Sequence, residues 1–294
     1  MRYRDFLVLM GVCLIWSLNV IIGKVMLSSY DIPPFYYAGI RFLGVAIVLS
    51  PLLRPIPQRI GQVALVGLLV GASHFGFLFL GLSAASPSSA AIVLQLGIPL
   101  TAMLSVIFLG ERISSLRITG IALALAGVIA VMWNPEQMTA SIGLVAIVIS
   151  TSSLAVGGIF LKRLPPIAPL KLQAWVGLVS WVPLLLASWQ LEAGQITTSL
   201  DGGYVFLAAT LFSVLVVTVI AHTAYFGLLQ RYEASMIAPL TLAMPIMTIL
   251  LDVLLIGGHL SLRTIAGSTV ALAGVLITLK AQPPARRDPV PSQT

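Results

Sequence analysis

The sequence predicts an all-α integral membrane protein of ten transmembrane helices built as two inverted five-helix repeats. Three observations lead there. Hydrophobic residues make up 59% of the 294 positions and charged residues 9%, with a mean hydropathy of +1.06. That leaves too little polar surface to face water around a soluble core. Next, ten apolar segments approach or exceed the ~20 residues a span needs, at about 6–28, 34–53, 61–82, 87–109, 115–133, 141–161, 170–190, 204–230, 235–257 and 263–280. Finally, the chain repeats itself. Gly110, Ser114, Gly120, Ala124 and Gly127 match Gly257, Ser261, Gly267, Ala271 and Gly274 at a spacing of 147. Upstream, Ser89 and Pro99 match Ser235 and Pro245 at 146, so one residue is inserted within that helix of the second copy. The expected organisation is a first repeat at 1–134, a second at 135–280 and a disordered cytoplasmic tail at 281–294.

The first segment begins MRYRD and runs apolar from Phe6 to about Leu27. Its basic start resembles a signal sequence, but it is long enough to span and no clear cleavage site follows, so it reads as a retained helix. The connections that follow are short and carry turn formers, as in DIPP at 31, RPIPQR at 54, NPEQ at 134 and LPPIAP at 164. Lys and Arg fall almost wholly on one side of the predicted membrane. Arg2, Arg4, Arg54, Arg59, Arg112, Arg117, Lys162, Arg163, Lys171, Arg231, Lys280, Arg286 and Arg287, thirteen of sixteen, share that side, and the other has only Arg263. The bias places both termini in the cytoplasm. It also explains the net charge of +7 without a nucleic-acid partner. Five helices per copy is an odd number, so the second copy enters the membrane upside down. Inverted repeats of this kind are a signature of alternating-access transporters, with the substrate near the midplane.

Several side chains at membrane depth could carry chemistry. A charge at a helix centre costs about 2.5–3.5 kcal/mol on insertion scales, which makes Arg41 and Asp252 the leading candidates, at depths that permit an ion pair. Arg41 is expected to orient a substrate carboxylate or hold Asp252. Lys24, one turn from the outer end of the first helix, reads as snorkelling to the headgroups or as part of a gate. His74 and His222 sit near opposite mouths of a central path and suit either proton coupling or neutral packing. Asn19, Gln95, Thr223 and Tyr225 add hydrogen-bonding groups, and Trp16, Phe75, Phe77, Phe79 and Phe226 could wall a cavity for a small zwitterionic or amphipathic solute. The predicted substrate-binding set is Asn19, Arg41, His74, Gln95 and Tyr225, and the coupling or gating set is His222, Asp252 and Lys24. Pro99, Pro239 and Pro245 are expected to kink or open their helices. The small-residue stripes of the fifth and tenth helices let helices approach closely and permit a homodimer. Cys13 is the only cysteine, so there is no intrachain disulfide or cysteine metal cluster. No zinc, nucleophile or phosphate-loop motif occurs, so neither an enzyme, a metal nor a cofactor is expected.

Taken in order, these residues resemble the drug/metabolite transporter superfamily and, within it, the ten-helix EamA-type exporters. The likeness rests on Trp16-Ser17-Leu18-Asn19 with Lys24, Arg41-Phe42, the Pro99 helix with Gly110-Glu111-Arg112 and Gly120, and Arg231-Tyr232-Glu233 through Ala238-Pro239-Leu240 to Pro245. It covers nearly all of residues 6–280 and is nearest to bacterial exporters of O-acetylserine and cysteine, which share the RYE and APL pattern. The resemblance implies a bacterial inner-membrane exporter of amino acids or related metabolites, with its path between helices 1–4 and 6–9 and with helices 5 and 10 peripheral. Drug efflux and metabolite uptake are the close alternatives; a polytopic membrane enzyme is the alternative of another class. The second corner departs from the family pattern: it reads Gly257-Gly258-His259, where an acid usually precedes a base.

Overall fold

The computed structural model describes residues 1–109, 114–134, 139–232, 237 and 240–281. Within them the chain is helical apart from a two-residue antiparallel bridge, Trp133–Asn134 with Thr139–Ala140. Eight helical runs are long and apolar enough to cross a membrane: α1 Tyr3–Ser29, α3 Ile60–Ala84, α4 Pro87–Phe108, α5 Ser115–Met132, α6 Ile142–Lys162, α7 Pro169–Leu191, α8 Gln195–Tyr225 and α10 Leu262–Lys280. Two shorter apolar helices complete the set, α2 Pro34–Val48 and α9 Ala243–Ile256. At 15 residues and a rise of about 1.5 Å each, α2 falls short of the ~30 Å hydrocarbon core. The Gly-Glu-Arg corner at 110–112 and the Glu233 and Ala238-Pro239 motif residues lie outside the described residues.

Local sequence sets the helix boundaries. Pro34, Pro87 and Pro169 each start a helix, where the missing N–H is no loss. Ser114 and Ser261, one repeat apart, cap α5 and α10 by accepting from Arg117 N at 3.2 Å and Thr264 N at 3.1 Å. Such caps are worth about 1 kcal/mol each. α9 ends at Gly257, which takes the left-handed conformation (φ 73°) that side chains resist.

The proline helices break where expected, but just before the prolines. α4 opens at Gln95–Leu96, two residues ahead of a second helical stretch that contains Pro99. Pro99 has no N–H to give the Gln95 carbonyl, which accepts from Ile98 N at 3.2 Å instead. The same event recurs 146 residues on. Residues 241 and 242 form a turn before Pro245, and Thr241 O accepts from Met244 N at 3.0 Å. Wider π-helical turns, which the sequence does not reveal, occupy Leu68–Ser73 in α3, Phe212–His222 in α8 and Asp252–Ile256 in α9.

α2 packs on α7, α3 on α6, α1 against α8 and α9, and α4 against α6. α5 and α10 form the closest pair. A Cβ built on Gly127 would lie 2.3 Å from Ala271 N, and one on Gly274 2.3 Å from Ala124 N. Likewise one on Gly120 would meet Gly274 O at 2.8 Å, and one on Gly267 would meet Gly127 O at 3.0 Å. Position 120 thus faces 274 while 127 faces 267, so the helices run antiparallel. Glycine at these crossings lets the backbones touch.

Candidate functional site

Arg41 stands mid-way along α2 and is 1% exposed. Its guanidinium lies over the face of Phe75 at 4.1 Å from the ring centroid, with Phe42 at 5.8 Å. Nη2 makes a long contact of 3.5 Å to Thr218 Oγ1, while Nε and Nη1 are buried with no partner among the described residues. Cation–π contact of this kind supplies up to about 2 kcal/mol when desolvated. It offers no negative charge, and a buried unpaired ion costs several kcal/mol. The only ion pair among the described residues is Asp5 with Arg231 at 3.7 Å; Arg41 therefore has no acid partner there.

Around Arg41 four helices contribute polar groups. Thr218 Oγ1 donates to Ser213 O at 3.0 Å, leaving its lone pairs toward Arg41. Ser213 Oγ donates to Asn19 Oδ1 at 2.9 Å, tying α8 to α1. The Tyr37 hydroxyl, one turn before Arg41, lies by Ser213 but makes no well-aligned bond. Trp16 sits beside His222 and Tyr225 at ring distances of 5.5 and 5.1 Å, its Nε1 also unpartnered. The charge of Arg41 is close enough to act on both His74 and His222. An α3 π-turn ends just before His74 and the α8 π-segment contains Ser213, Thr218 and His222. The extra residue per turn re-aims these side chains, a distortion found frequently at functional sites.

Both histidines have their tautomer assigned by the bonds they make. His222 Nδ1 lies 2.7 Å from Val217 O, an acceptor only, so Nδ1 carries the hydrogen. Ser150 Oγ donates to His74 O at 2.7 Å, so at 2.8 Å from His74 Nδ1 it acts as acceptor there. In the neutral state each ring thus offers Nε2 as an acceptor.

Asp252 is buried away from this centre. Its carboxylate accepts from Ser88 N at 3.0 Å and Ser88 Oγ at 2.5 Å, at the start of α4. Gly258 folds back against it, with its N–H on Asp252 O at 3.1 Å. The predicted depth match of Arg41 and Asp252 does not bring them together, because the α4 N-terminus supplies the donors the carboxylate needs. Lys24 is held rather than snorkelling: Nζ donates to Leu82 O at 3.0 Å and Ser83 O at 3.1 Å, the free carbonyls at the end of α3. Its charge and that of Asp252 interact. At the same end Glu192 accepts from Phe35 N at 2.7 Å and Tyr36 N at 3.0 Å, capping α2 from α7.

The opposite end, which carries the N-terminus, has its own clasp. Asp5 accepts from Tyr232 Oη at 2.6 Å, and that oxygen in turn accepts from Arg2 N at 3.1 Å. Arg163 Nη2 donates to Phe108 O at 2.5 Å. A surface cleft of about 470 Å³ between the Ile56–Arg59 connection and Leu164–Ala168 lies at this end and contains none of the predicted site residues.

The structure therefore gathers Asn19, Arg41, His74 and His222, with Tyr225 beyond Trp16. Gln95 lies at the α4 break, 9% exposed. Thr223 faces outward and bonds to Val219 O. Phe75 and Phe79 join the aromatic cluster with Tyr37; the Phe226 side chain lies outside the described residues. Tyr37, Ser88, Ser150, Ser213 and Thr218 were not anticipated, since isolated hydroxyls in apolar helices carry no pattern of their own.

Comparison with known proteins agrees with this architecture. The EamA-like transporter family matches residues 5–133 and again 141–280. A "Probable amino-acid metabolite efflux pump" of Salmonella typhimurium is 31% identical, aligned over 95% of this chain and 96% of its own length. The Escherichia coli K12 protein of the same description is 28% identical over 95% and 96%. An "Uncharacterized inner membrane transporter YedA" of E. coli K12 is also 28% identical, over 95% and 93%. A solved structure titled "Crystal structure of protein" shares the fold with a TM-score of 0.60 at 20% identity, covering 95% of this chain and 99% of that one. The chain belongs to the EamA-like transporter family and is thus a membrane transporter and not an enzyme.

Proposed function

We propose that this transporter exports small carboxylate-bearing metabolites, amino acids or their derivatives, across a bacterial inner membrane by alternating access. The observation that carries this reading is Arg41: a permanently charged, buried guanidinium with two unbonded nitrogens and no acid partner among the described residues. A carboxylate complements that guanidinium in charge and in its two-pronged shape. The pump descriptions of the Salmonella and E. coli relatives point to the same cargo class.

The halves at 1–134 and 135–280 serve as inverted repeats of five helices. Supporting this are the antiparallel α5–α10 contact, in which repeat-equivalent residues exchange places, and the helix breaks spaced by 146. The arginine-rich end bearing the N-terminus is cytoplasmic by the positive-inside rule. Asp5–Tyr232 then closes the inner mouth, and Asp252–Ser88 with Lys24–Leu82 closes the outer one. Rocking of the halves opens one clasp at a time. His222, with its neutral Nε2 as acceptor, or Asp252 takes the proton that drives export.

The test is uptake of labelled cysteine, O-acetylserine and a panel of other amino acids by proteoliposomes, with and without an imposed pH gradient. Saturable uptake accelerated by the gradient in wild type, and losing that acceleration in Asp252→Asn or His222→Gln, is the expected result. Absence of saturable uptake across the panel contradicts the cargo class. A gradient response unchanged in both variants contradicts their role in coupling.

A further inference from the structure

We infer that the cargo crosses as a net anion, so that amino-acid derivatives whose amino group is blocked are carried in preference to the free zwitterions. This deepens the proposed function and rests on it. The inference comes from the total charge of the occluded centre. Every acid among the described residues is accounted for elsewhere. Asp5 serves the inner clasp, Glu192 caps α2, and Asp252 is held by Ser88 at the outer end. Asp31 and Asp201 are exposed. Glu111, Glu136, Glu233 and Asp288 lie outside the described residues.

Arg41 keeps its charge at any physiological pH, and the groups facing it are neutral: the Phe75 ring, Thr218, Tyr37, Asn19 and Ser213. With a zwitterion bound, the carboxylate answers the guanidinium but the ammonium remains as one uncompensated positive charge in a water-excluded space. With a monoanion bound and His74 and His222 neutral, the centre is neutral, and a proton taken up at His222 adds a positive charge that favours the anion further. Low dielectric magnifies that difference. The hydrogen-bonding groups agree in kind. Trp16 Nε1 and Arg41 Nε and Nη1 are buried donors without acceptors among the described residues, which an acceptor-rich cargo satisfies and an ammonium does not. For an ammonium the site offers only neutral acceptors, such as the histidine Nε2 atoms.

The experiment compares matched pairs in proteoliposomes of the full chain at neutral pH: serine with N-acetylserine, and cysteine with N-acetylcysteine. Each pair shares side chain and carboxylate and differs in the ammonium charge. The acetylated member is expected to show an uptake rate at low concentration higher by about tenfold or more. Arg41→Gln brings the ratio within each pair to unity or below, because the anion then leaves the uncompensated charge, and Arg41→Lys preserves it. Because a ratio does not depend on how much protein folds, a merely structural arginine would leave it unchanged in both variants. Should Arg41→Gln fail to fold, thermal stabilisation of the wild-type protein by each pair member gives a second reading, with the acetylated member stabilising at the lower concentration. Equal or greater handling of the zwitterions, or a ratio retained by Arg41→Gln, overturns the inference while leaving amino-acid export standing. Failure of every pair and of the wider panel to be carried overturns both.

Discussion

Arg41 and Asp252 announce themselves in the sequence because a charge at membrane depth must have a reason to be there. What the sequence withholds is the partner. Asp252 meets Ser88 and the start of α4, and Arg41 meets an aromatic face and Thr218. Serines and threonines bond their own helix backbone so readily that those reaching across helices look no different in one dimension. Glu192 shows the same limit, since it reads as an ordinary loop acid yet caps α2 from α7. Replacing it by alanine leaves two half-buried N–H groups without that acceptor. Glu192→Ala should lower stability by about 1–2 kcal/mol, measurable by thermal unfolding in detergent, with uptake per folded molecule near wild type. An unchanged midpoint would show that water serves those groups as well as the carboxylate does.

At the level of the helix, periodic apolar runs and proline positions carried most of what the structure contains. Eight of the ten segments appear as helices long enough to span, and those at 34–53 and 235–257 appear, among the described residues, as the shorter helices α2 and α9. The breaks near Pro99 and Pro245 follow from a missing N–H, a local cause that one sequence displays. The π-helical segments do not, because the extra residue per turn is accommodated by packing against other helices. The glycine stripes were legible as close-packing signals, and the α5–α10 crossing gives them a magnitude. Gly127→Ala puts a methyl 2.3 Å from Ala271 N, where only backbone could move. The expected cost is about 1–3 kcal/mol. Gly158→Ala in α6 meets nothing within 4 Å and should be neutral or stabilising by up to about 1 kcal/mol. Thermal unfolding of the two variants side by side separates crowding from helix propensity. Similar midpoints would mean that the α5–α10 contact yields easily.

The whole molecule is a polar centre closed at both ends. Lys24, Ser88 and Asp252 join α1, α3, α4 and α9 at one end, while Asp5, Tyr232 and Arg231 join α1 to the chain that follows α8 at the other. The duplication was visible in the sequence; that its two copies meet as an antiparallel α5–α10 pair was not, since that needs distances. Alternating access as proposed requires the Asp252 end to part in each cycle. A flexible bifunctional thiol reagent can hold it shut. With Cys13 replaced by alanine, Ser86→Cys, two residues before Ser88, and His259→Cys, next to the Gly258 that folds back on Asp252, add exposed thiols while leaving Ser88 and Asp252 in place. Uptake by proteoliposomes carrying this variant, measured before and after cross-linking and again after cleavage of the tether, is the decisive measurement. Loss of uptake on cross-linking and its return on cleavage is the predicted result. Uptake that continues unchanged through the tethered protein would contradict alternating access at this mouth.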